Sequence, residues 1–478
     1  MNIDLYKNIY LIGIGGIGMS ALARYFNANS KYVYGYDIFK SELCVELEDE
    51  GINIHYNDKV NEIPEVINSC FNDVLIIYTP AISNENKLLR YFIDKGIHIY
   101  KRAEILGLIS KQVFTIAIAG THGKTTTSTI LAHILKQGGN EVTAFLGGIS
   151  RNYNTNLLLA DNRNILIVEA DEYDRSFLHL YSDIAIITSV DADHLDIYKN
   201  KDDLEKAFVQ FASQIKHNGL LLLEESITVD FPVPFKGKKL TYSAKSKADY
   251  FAENMKVKNG KMLFDMTLDL DIKVNSNFFM RVDKDDNKSG NQLMKNIVLK
   301  MPGIHNISNA LAASAVACYL GLDCDFIYSG LRSFKGINRR FDMHLNSRKI
   351  AFIDDYAHHP EAIRATIQAT KLLFPQRELT VVFQPHLFSR TKDFANEFSI
   401  SLQEADDLVL LDIYPAREKP IDGVSSEMLL DLCTNFQKEV CSKDILLSIL
   451  KRKKIDVLLT LGAGDVSTLV QPIKHMLN

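Results

Sequence analysis

The sequence predicts an α/β protein of three domains, and three observations lead to this fold class. The chain has 478 residues, more than one hydrophobic core usually supports. Short apolar runs, typical of buried strands, alternate with stretches of helical periodicity along most of the chain. Two of these runs lead through glycine-rich turns into helices, as in nucleotide-binding units. We place the domains at residues 1–110, 111–335 and 336–478.

The first domain is predicted to be a small doubly wound sheet with a glycine-rich turn. Its strands are expected at Ile9–Ile12, Tyr32–Tyr36, Val74–Tyr78 and His98–Tyr100. The first strand runs into G-x-G-x-x-G, formed by Gly13, Gly15 and Gly18, and Asp37 follows the second strand. This spacing is typical of a dinucleotide site, where the backbone approaches a diphosphate closely and the acid lies near a ribose. NAD and a UDP-sugar satisfy the pattern equally well.

The second domain opens with an apolar strand that runs into a Gly-Lys-Thr loop and then into a helix. Gly120, Gly123, Lys124 and Thr125 match the residues that hold nucleotide phosphates and Mg²⁺ in phosphate loops. The loop is shorter than the common G-x-x-x-x-G-K-[ST] form, because position 118 is Ile. The segment therefore predicts a nucleoside triphosphate site.

Carboxylates follow the next strands of this domain, which are expected at Ile165–Val168 and Ile184–Thr188. The first strand ends in Glu169-Ala-Asp-Glu172, and the second is followed by an acidic segment that contains His194. Such a concentration of negative charge needs cations or hydrogen-bond donors. We expect a Mg²⁺ site, with Mn²⁺ possible because of the histidine. Further along, residues 251–299 predict a small antiparallel sheet with an exposed, mobile loop over 283–291.

The third domain repeats the alternation of strands and helices and carries clusters of polar residues. Its strands are expected at Ile350–Ile353, Leu379–Phe383, Asp407–Leu411 and Val457–Leu461. Arg339 and Arg340 lie near the domain junction, where a fixed cation can stabilise a γ-phosphate during transfer. Donors for a small acidic co-substrate follow these arginines: Tyr356, His358, His386 and Arg390.

Composition and charge exclude several classes of protein. A formal net charge of −5 indicates no surface for nucleic acid. No apolar run is long enough for a membrane span, and the first residues lack a signal-peptide pattern, so we expect a cytoplasmic protein without membrane partners. The six cysteines are scattered, which favours buried thiols over disulfides or a zinc site.

Together these motifs resemble the Mur ligase family over almost the whole chain. The segments that carry the resemblance are Gly13–Ser20, Gly120–Thr127, Glu169–Glu172, Asp193-His194, Pro302–Asn309, Arg339–Phe341, Asp354–Pro360, Gln384–Thr391, Tyr414–Arg417 and Gly462–Asp465. Within the family, GIGGIGMS, DDYAHHP, YPARE and GAGD are similar to the alanine-adding members.

The resemblance implies a Rossmann-like UDP-binding domain, a central phosphate-loop ATPase domain and a Rossmann-like C-terminal domain. It implies an ATP-dependent reaction that joins L-alanine to the lactyl carboxylate of UDP-N-acetylmuramate through an acyl phosphate, giving ADP and phosphate, in peptidoglycan synthesis. The protein would act as a monomer or weak homodimer.

The family pattern also implies roles for individual residues. For ATP it points to Gly120, Thr121, His122, Gly123, Lys124, Thr125, Thr126, His305, Asn309, Arg340 and Asp354. Thr125, Glu169 and His194 would hold the metal. The sugar nucleotide would contact Gly13, Gly15, Gly16, Gly18, Ser20 and Asp37. Tyr356, His358 and Arg390 would bind L-alanine, and the catalytic residues would be Lys124, Arg340 and His358. Position 387 is Leu where many members have a polar residue, which leaves Arg390 as the main clamp there.

Three alternatives remain open at the level of the sequence. An NAD-dependent oxidoreductase would use the first glycine turn but leave the Lys124 loop without a role. A phosphate-loop switch protein would not explain the arginine and histidine clusters of the third domain. A family member that recycles a murein tripeptide onto the same acceptor would differ only in its amine-binding pocket.

Overall fold

The structure is a computed structural model, and it describes residues 3–69, 71–161, 165–191, 197–231, 237–258, 260–269, 290–416, 418–435 and 437–478. Its residues group into two compact units. The first contains residues 1–253, 265–295 and 308–333, and the second contains 254–264, 296–307 and 334–478. The predicted domain boundaries at 110/111 and 335/336 stay predictions.

The N-terminal part of the first unit is a five-stranded parallel sheet in the order β3-β2-β1-β4-β5. Its elements are β1 (Asn8–Ile12), α1 (Ile17–Ala28), β2 (Tyr32–Tyr36), α2 (Glu42–Asp49), β3 (Asn53–His55), α3 (Glu65–Ser69), β4 (Val74–Tyr78), α4 (Lys87–Asp94), β5 (Ile99–Lys101) and α5 (Arg102–Gln112), with short 3₁₀ turns at Ile3–Leu5, Val60–Glu62 and Phe71–Asp73. The predicted doubly wound sheet is confirmed. The glycine turn follows β1, at the centre of this sheet.

A ten-stranded sheet follows in the order β15-β14-β13-β12-β11-β10-β6-β9-β7-β8. Its elements are β6 (Phe114–Ala119), α6 (Lys124–Gln137), β7 (Thr143–Ser150), β8 (Thr155–Leu158), β9 (Ile165–Ala170), a 3₁₀ turn (Tyr173–His179), β10 (Ile184–Ile187), α7 (Lys201–Ser213), β11 (Leu220–Glu224), β12 (Lys238–Ser243), β13 (Tyr250–Lys258), β14 (Lys261–Asp269), β15 (Asn291–Leu299), α8 (Ile304–Tyr319) and α9 (Cys324–Ser333). β6 pairs in parallel with both β9 and β10. The ends of these three strands therefore lie side by side.

The strands of the small sheet predicted over residues 251–299 lie at the edge of a larger sheet. The strands β13 to β15 exist, but they continue the edge of the ten-stranded sheet, since β13 pairs in parallel with β12. Local sequence predicts that a strand forms, whereas its neighbour depends on the tertiary fold. The loop expected at 283–291 falls almost wholly outside the described residues.

The core of the first unit explains why its strands are almost continuously apolar. Strands β6 and β10 are buried along their length, and α6 is buried on nearly every side. Parallel strands covered on both faces have no solvent-exposed side to mark with polar residues. Phe177 stacks on Phe211 with ring centroids 5.1 Å apart, which packs the 3₁₀ turn after β9 against α7.

The second unit contains a six-stranded sheet in the order β16-β17-β21-β18-β19-β20. Its elements are β16 (Asp342–Asn346), β17 (Ala351–Asp355), α10 (Pro360–Leu373), β18 (Leu379–Phe383), α11 (Phe388–Asp393), α12 (Ala395–Leu402), β19 (Asp407–Leu411), α13 (Ser426–Leu432), β20 (Gln437–Cys441), a 3₁₀ turn (Lys443–Ile445), α14 (Leu446–Leu450), β21 (Val457–Leu461), a 3₁₀ turn (Asp465–Leu469) and α15 (Val470–Leu477). Only the edge strand β16 is antiparallel to its neighbour. All four predicted strands are confirmed.

The prediction of buried thiols is confirmed for the described part of the chain. Five cysteines are free and buried: Cys44, Cys318, Cys324, Cys433 and Cys441. Cys70 lies outside the described residues. Among the described helices, none has the length and apolar character needed to cross a membrane.

Candidate active site

The loop between β6 and α6 has the backbone geometry that its glycines predict. Gly120 and Gly123 have φ values of +131° and +83°, a region that glycine adopts without steric cost. A Cβ atom at Gly123 would lie 2.4 Å from Oδ1 of Asn309, so a larger residue would clash as well. α6 begins at Lys124 without a side-chain cap, which leaves its N-terminal N–H groups suited to phosphate oxygens.

Lys124, the first residue of α6, forms an ion pair that the sequence did not predict. Its Nζ donates to the carbonyl of Gly120 at 2.6 Å and to Oε2 of Glu172 at 2.7 Å. Glu172 is fully buried. Burial alone would lower the pKa of Lys124, but the carboxylates of Glu172, Asp171 and Glu169 outweigh it and raise the pKa above its ordinary value. The lysine is therefore a fixed cation inside the loop.

Thr125 and Glu169 are brought together at the end of β9, as the predicted metal site requires. Thr125 Oγ1 donates to Oε2 of Glu169 at 3.0 Å, and Ser128 Oγ donates to Oε1 at 3.2 Å. Oxygen ligands at 2.0–2.1 Å on neighbouring corners of an octahedron around Mg²⁺ lie about 2.9 Å apart. The Thr125 and Glu169 oxygens are close enough together to share one Mg²⁺ ion, and metal binding there stays a prediction. The third predicted ligand, His194, lies outside the described residues.

The segment after β10 supports the phosphate loop from its other side. Ser189 Oγ lies 2.8 Å from the Oγ1 of Thr121 and accepts the N–H of His122 at 2.9 Å. Thr188 donates to the carbonyls of Ala119 and His122. Sequence reasoning missed Thr188 and Ser189, although their position at a strand end beside the loop strand was a usable signal.

The helix α8 carries both residues expected near the adenine, and α6 carries Thr126. The Asn309 side chain is 7% exposed and accepts a hydrogen bond from Thr127 at 3.2 Å, so it is tied to α6. Thr126 is also buried. His305 belongs to the second compact unit, is exposed, and packs beside Gly303. Contact of these residues with a nucleotide stays a prediction.

The glycine turn after β1 is held by Asp37, which differs from the role that we expected. Asp37 Oδ2 accepts the N–H of Gly15 at 2.8 Å, and Oδ1 accepts that of Phe39 at 3.3 Å. Gly16 caps α1 without a side-chain hydrogen bond. The carboxylate therefore stabilises the turn itself, and its contact with a ribose stays a prediction.

Ser20 is not presented at this turn. It is fully buried, donates to the carbonyl of Ile17 at 3.1 Å and accepts from Nδ2 of Asn156 at 2.9 Å. Asn156 also accepts a hydrogen bond from Arg24. This buried network packs α1 against β8, and the expected contact of Ser20 with the sugar nucleotide stays a prediction. The sequence could not show this, because Asn156 is distant along the chain.

In the second unit, Arg339 pairs with the buried carboxylate of Asp354. Arg339 Nε donates to Oδ2 of Asp354 at 3.0 Å, and Thr460 donates to its Oδ1 at 2.7 Å. Asp354 is fully buried. Its two oxygens are therefore engaged within the unit, and the expected contact with ATP stays a prediction. Arg340 lies over the ring of Tyr356, with its guanidinium carbon 5.2 Å from the ring centroid.

Asp355 is a titratable group that sequence reasoning did not single out. It accepts the N–H groups of Phe341 at 2.6 Å and Ala357 at 2.8 Å. Burial raises its pKa to about 6, although Arg340 and the two backbone donors act in the opposite direction.

The raised pKa of Asp355 predicts a pH dependence of stability. Because the folded state favours the neutral acid, the stabilisation is complete below about pH 4 and is lost as the pH rises through 6. Between pH 4 and 7 the wild type should lose up to about 3 kcal/mol of unfolding free energy relative to Asp355→Asn, whose side chain does not titrate. Urea titrations of both proteins across this range measure the difference. Parallel stability curves would contradict the prediction.

The predicted alanine-binding residues follow β17 and β18. His358 Nδ1 lies 3.0 Å from the carbonyl of Tyr356, and its ring lies 5.9 Å from that of His386. His386 stacks on Tyr414 at 5.6 Å. Arg390 lies on α11 and is 9% exposed. The structure thus brings His358, His386 and Tyr414 together, and the YPARE motif that contains Tyr414 was the signal for the last.

Leu387, noted above as a departure from the family pattern, has an unusual backbone. Its φ of +72° is uncommon for a residue with a side chain. Its N–H donates to the carbonyl of Tyr414 at 2.9 Å, and its carbonyl accepts from Thr391. These bonds hold the turn that leads into α11, the helix that carries Arg390.

Comparison with known proteins agrees with this architecture. Three family models match successive parts of the chain: the Mur ligase catalytic domain over residues 8–113, the Mur ligase middle domain over 118–317, and the Mur ligase glutamate ligase domain over 339–464. The UDP-N-acetylmuramate–L-alanine ligase of Flavobacterium johnsoniae is 44% identical over 478 residues, covering 100% of this chain and 99% of that protein.

Two solved structures have the same fold. The UDP-N-acetylmuramate-alanine ligase of Thermotoga maritima is 26% identical with a TM-score of 0.76, and the match covers 98% of both chains. A murein peptide ligase from Psychrobacter arcticus is 22% identical with a TM-score of 0.70, again over 98% of both chains. At that identity the second likeness concerns the fold alone. With a relative of 44% identity aligned along its full length, the chain belongs to the Mur ligase family of enzymes.

Proposed function

We propose that this chain is an ATP-dependent ligase that joins L-alanine to the lactyl carboxylate of UDP-N-acetylmuramate in peptidoglycan biosynthesis. The observation that carries the proposal is the full-length identity of 44% to a relative named for this reaction. The geometry of the phosphate loop supports the nucleotide half of the reaction. Family membership also decides against the oxidoreductase and switch-protein alternatives.

The first step would activate a poor electrophile. A lactyl carboxylate oxygen attacks the γ-phosphorus of ATP, the bond to the β-phosphate oxygen breaks, and ADP leaves. Negative charge on the transferring group needs preorganised cations and donors. Lys124, the N-terminal N–H groups of α6, and Arg340 would supply them. Lys124 is suited to this role because three carboxylates keep it protonated.

A divalent cation would assist at the end of β9. Thr125 and Glu169 would hold Mg²⁺, or Mn²⁺, together with His194. The cation supplies charge neutralisation at the phosphate oxygens. ATP would further contact Gly120, Thr121, His122, Gly123 and Thr126 in the loop, together with His305, Asn309 and Asp354.

The second step would form the amide. The amine of L-alanine attacks the acyl carbon. Phosphate then leaves together with the carboxylate oxygen that accepted the phosphoryl group in the first step, and the nitrogen loses a proton. Arg390 would pair with the alanine carboxylate, and Tyr356 and His358 would line the amine-binding pocket. The diphosphate of the sugar nucleotide would lie at the turn of Gly13, Gly15, Gly16 and Gly18, beside Asp37. The protein would work in the cytoplasm as a monomer or weak homodimer.

A murein tripeptide is the second candidate for the amine substrate. A ligase for the tripeptide would bind ATP and the sugar nucleotide with the same residues. A murein peptide ligase has the same fold, so the tripeptide is included as an alternative amine in the experiment below. The identity to the alanine-adding relative is 44%, against 22% to the murein peptide ligase, which favours L-alanine as the amine substrate.

We expect ATP cleavage to require both UDP-N-acetylmuramate and L-alanine, because the acyl phosphate must form and then be captured. Steady-state phosphate release is measured with all substrates and with each one omitted. A scan with glycine, L-serine and the tripeptide in place of L-alanine identifies the amine. Phosphate release that continues at full rate without the sugar nucleotide would indicate a simple ATPase. A preference for the tripeptide would replace L-alanine by the second candidate.

A further inference from the structure

Arg102, the first residue of α5, lies directly against the start of α1. A Cβ atom built at Gly18 would lie 1.9 Å from Nη1 of Arg102 and 2.8 Å from its Cζ. Gly18 is the second residue of α1 and the last glycine of the turn after β1. The Arg102 guanidinium can therefore lie there only because residue 18 is a glycine without a side chain. About a quarter of the Arg102 side chain is exposed, so a ligand can reach it.

This position is electrostatically unfavourable for a cation. The N-terminus of a helix carries a partial positive charge, which attracts anions and repels guanidinium groups. The first turn of α1 has no acidic residue, and Gly16 provides no side-chain cap. The carboxylate paired with Arg102 is that of Asp171, and its Oδ2 is 4.0 Å from Nη2, at the limit of an ion pair. A cation and a helix N-terminus placed side by side match an anion with more than one negative charge.

We propose that Arg102 binds the diphosphate of the sugar nucleotide at the glycine turn. The inference rests on the proposed function and adds a residue to the sugar-nucleotide site. A guanidinium suits this role because its planar donors pair with two phosphate oxygens at once. The N–H groups at the start of α1 bind the same anion.

The same arginine connects the sugar-nucleotide turn with the phosphate-loop cluster. Asp171 lies between Glu169 and Glu172, and its charge contributes to the raised pKa of Lys124. Next to Arg102, Lys101 forms a stronger ion pair with Asp174, at 2.7 Å. Lys101 therefore holds α5 to the turn after β9, while the longer contact of Arg102 leaves its guanidinium available to phosphate.

The test separates phosphate recognition from general damage. Steady-state phosphate release gives the KM for UDP-N-acetylmuramate, ATP and L-alanine, and competition gives the inhibition constants of UDP and uridine. The proteins are the wild type, Arg102→Met, Arg102→Lys and the control Lys101→Met, which removes the neighbouring cation at the end of β5. Thermal unfolding checks that each variant is folded.

We expect Arg102→Met to raise the KM for the sugar nucleotide and the inhibition constant of UDP by roughly 10- to 100-fold. Uridine inhibition, the KM values for ATP and L-alanine, and kcat should change by less than about threefold, within ordinary surface effects. For Arg102→Lys, which keeps the charge, both constants should lie between those of the wild type and of Arg102→Met. If Arg102→Met does not fold, Arg102→Lys provides the test in its place. Lys101→Met should resemble the wild type.

Two results would overturn the inference. One is an unchanged UDP inhibition constant in a folded Arg102 variant. The other is an equal rise for UDP and uridine, which would assign Arg102 to the nucleoside or to packing. A wild type whose phosphate release ignores the sugar nucleotide would instead refute the proposed function, so the two failures are distinguishable.

Discussion

Lys124→Ala should lower kcat for phosphate release by about 10²–10³-fold, the loss typical of one electrostatic stabiliser of a transition state. The Lys124 ammonium is held by the Gly120 carbonyl and by Glu172, at the start of the helix expected to bind phosphate. The charge that develops on the transferring phosphoryl group therefore meets a cation that needs little reorganisation. The measurement is steady-state turnover at saturating ATP, sugar nucleotide and L-alanine.

A structural effect must be separated from the chemical one. Removing Lys124 leaves the buried carboxylate of Glu172 without its cation, which costs about 3–5 kcal/mol in comparable pairs. The double variant Lys124→Met with Glu172→Gln removes both charges and should recover stability without recovering turnover. Lys101→Ala is the matched control, because Lys101 also forms a 2.7 Å ion pair but lies outside the phosphate loop. Near wild-type turnover in a folded Lys124 variant would mean that the phosphate site is misplaced.

Arg390→Lys should reduce kcat/KM for L-alanine by roughly 30- to 1000-fold, or about 2–4 kcal/mol. We place this arginine against the carboxylate of L-alanine, where its two parallel donors form a bidentate pair that lysine cannot reproduce. Its side chain is 9% exposed, so water compensates little for the lost contact. Because the side chain of Leu387 has no polar atom, no second donor is expected at that position.

The three KM values show whether the effect is confined to L-alanine. In Arg390→Lys and Arg390→Ala, the KM for alanine should rise far more than those for ATP and the sugar nucleotide. The control is Arg364→Lys, which alters a partly exposed arginine of the same unit paired with Glu361. It should leave all three KM values unchanged. A collapse of ATP affinity with an unchanged alanine KM would assign Arg390 to the nucleotide site.

Local patterns in the sequence determined the secondary structure and the two glycine turns. Each strand predicted in the three domains is present. A parallel strand that is buried on both faces has mostly apolar side chains, so it can be recognised from its own residues. The turns before α1 and α6 were predictable for a similar reason. Glycine at those positions indicates that another group approaches the backbone closely, and the pattern of the residues that follow indicates a helix.

The tertiary structure alone decided which polar groups meet. Lys124 pairs with Glu172, Asp37 holds the N–H of Gly15, and Asp354 pairs with Arg339. Strand β13 pairs with β12 of the central sheet, a neighbour that the sequence did not identify. These partners are 48, 22 and 15 residues apart along the chain. The type of a side chain does not determine which other side chain will lie next to it in the folded protein. The sequence therefore determined where chemistry can occur, and strand order determined which charges stand together there, because pairing depends on distance in space and not on distance along the chain.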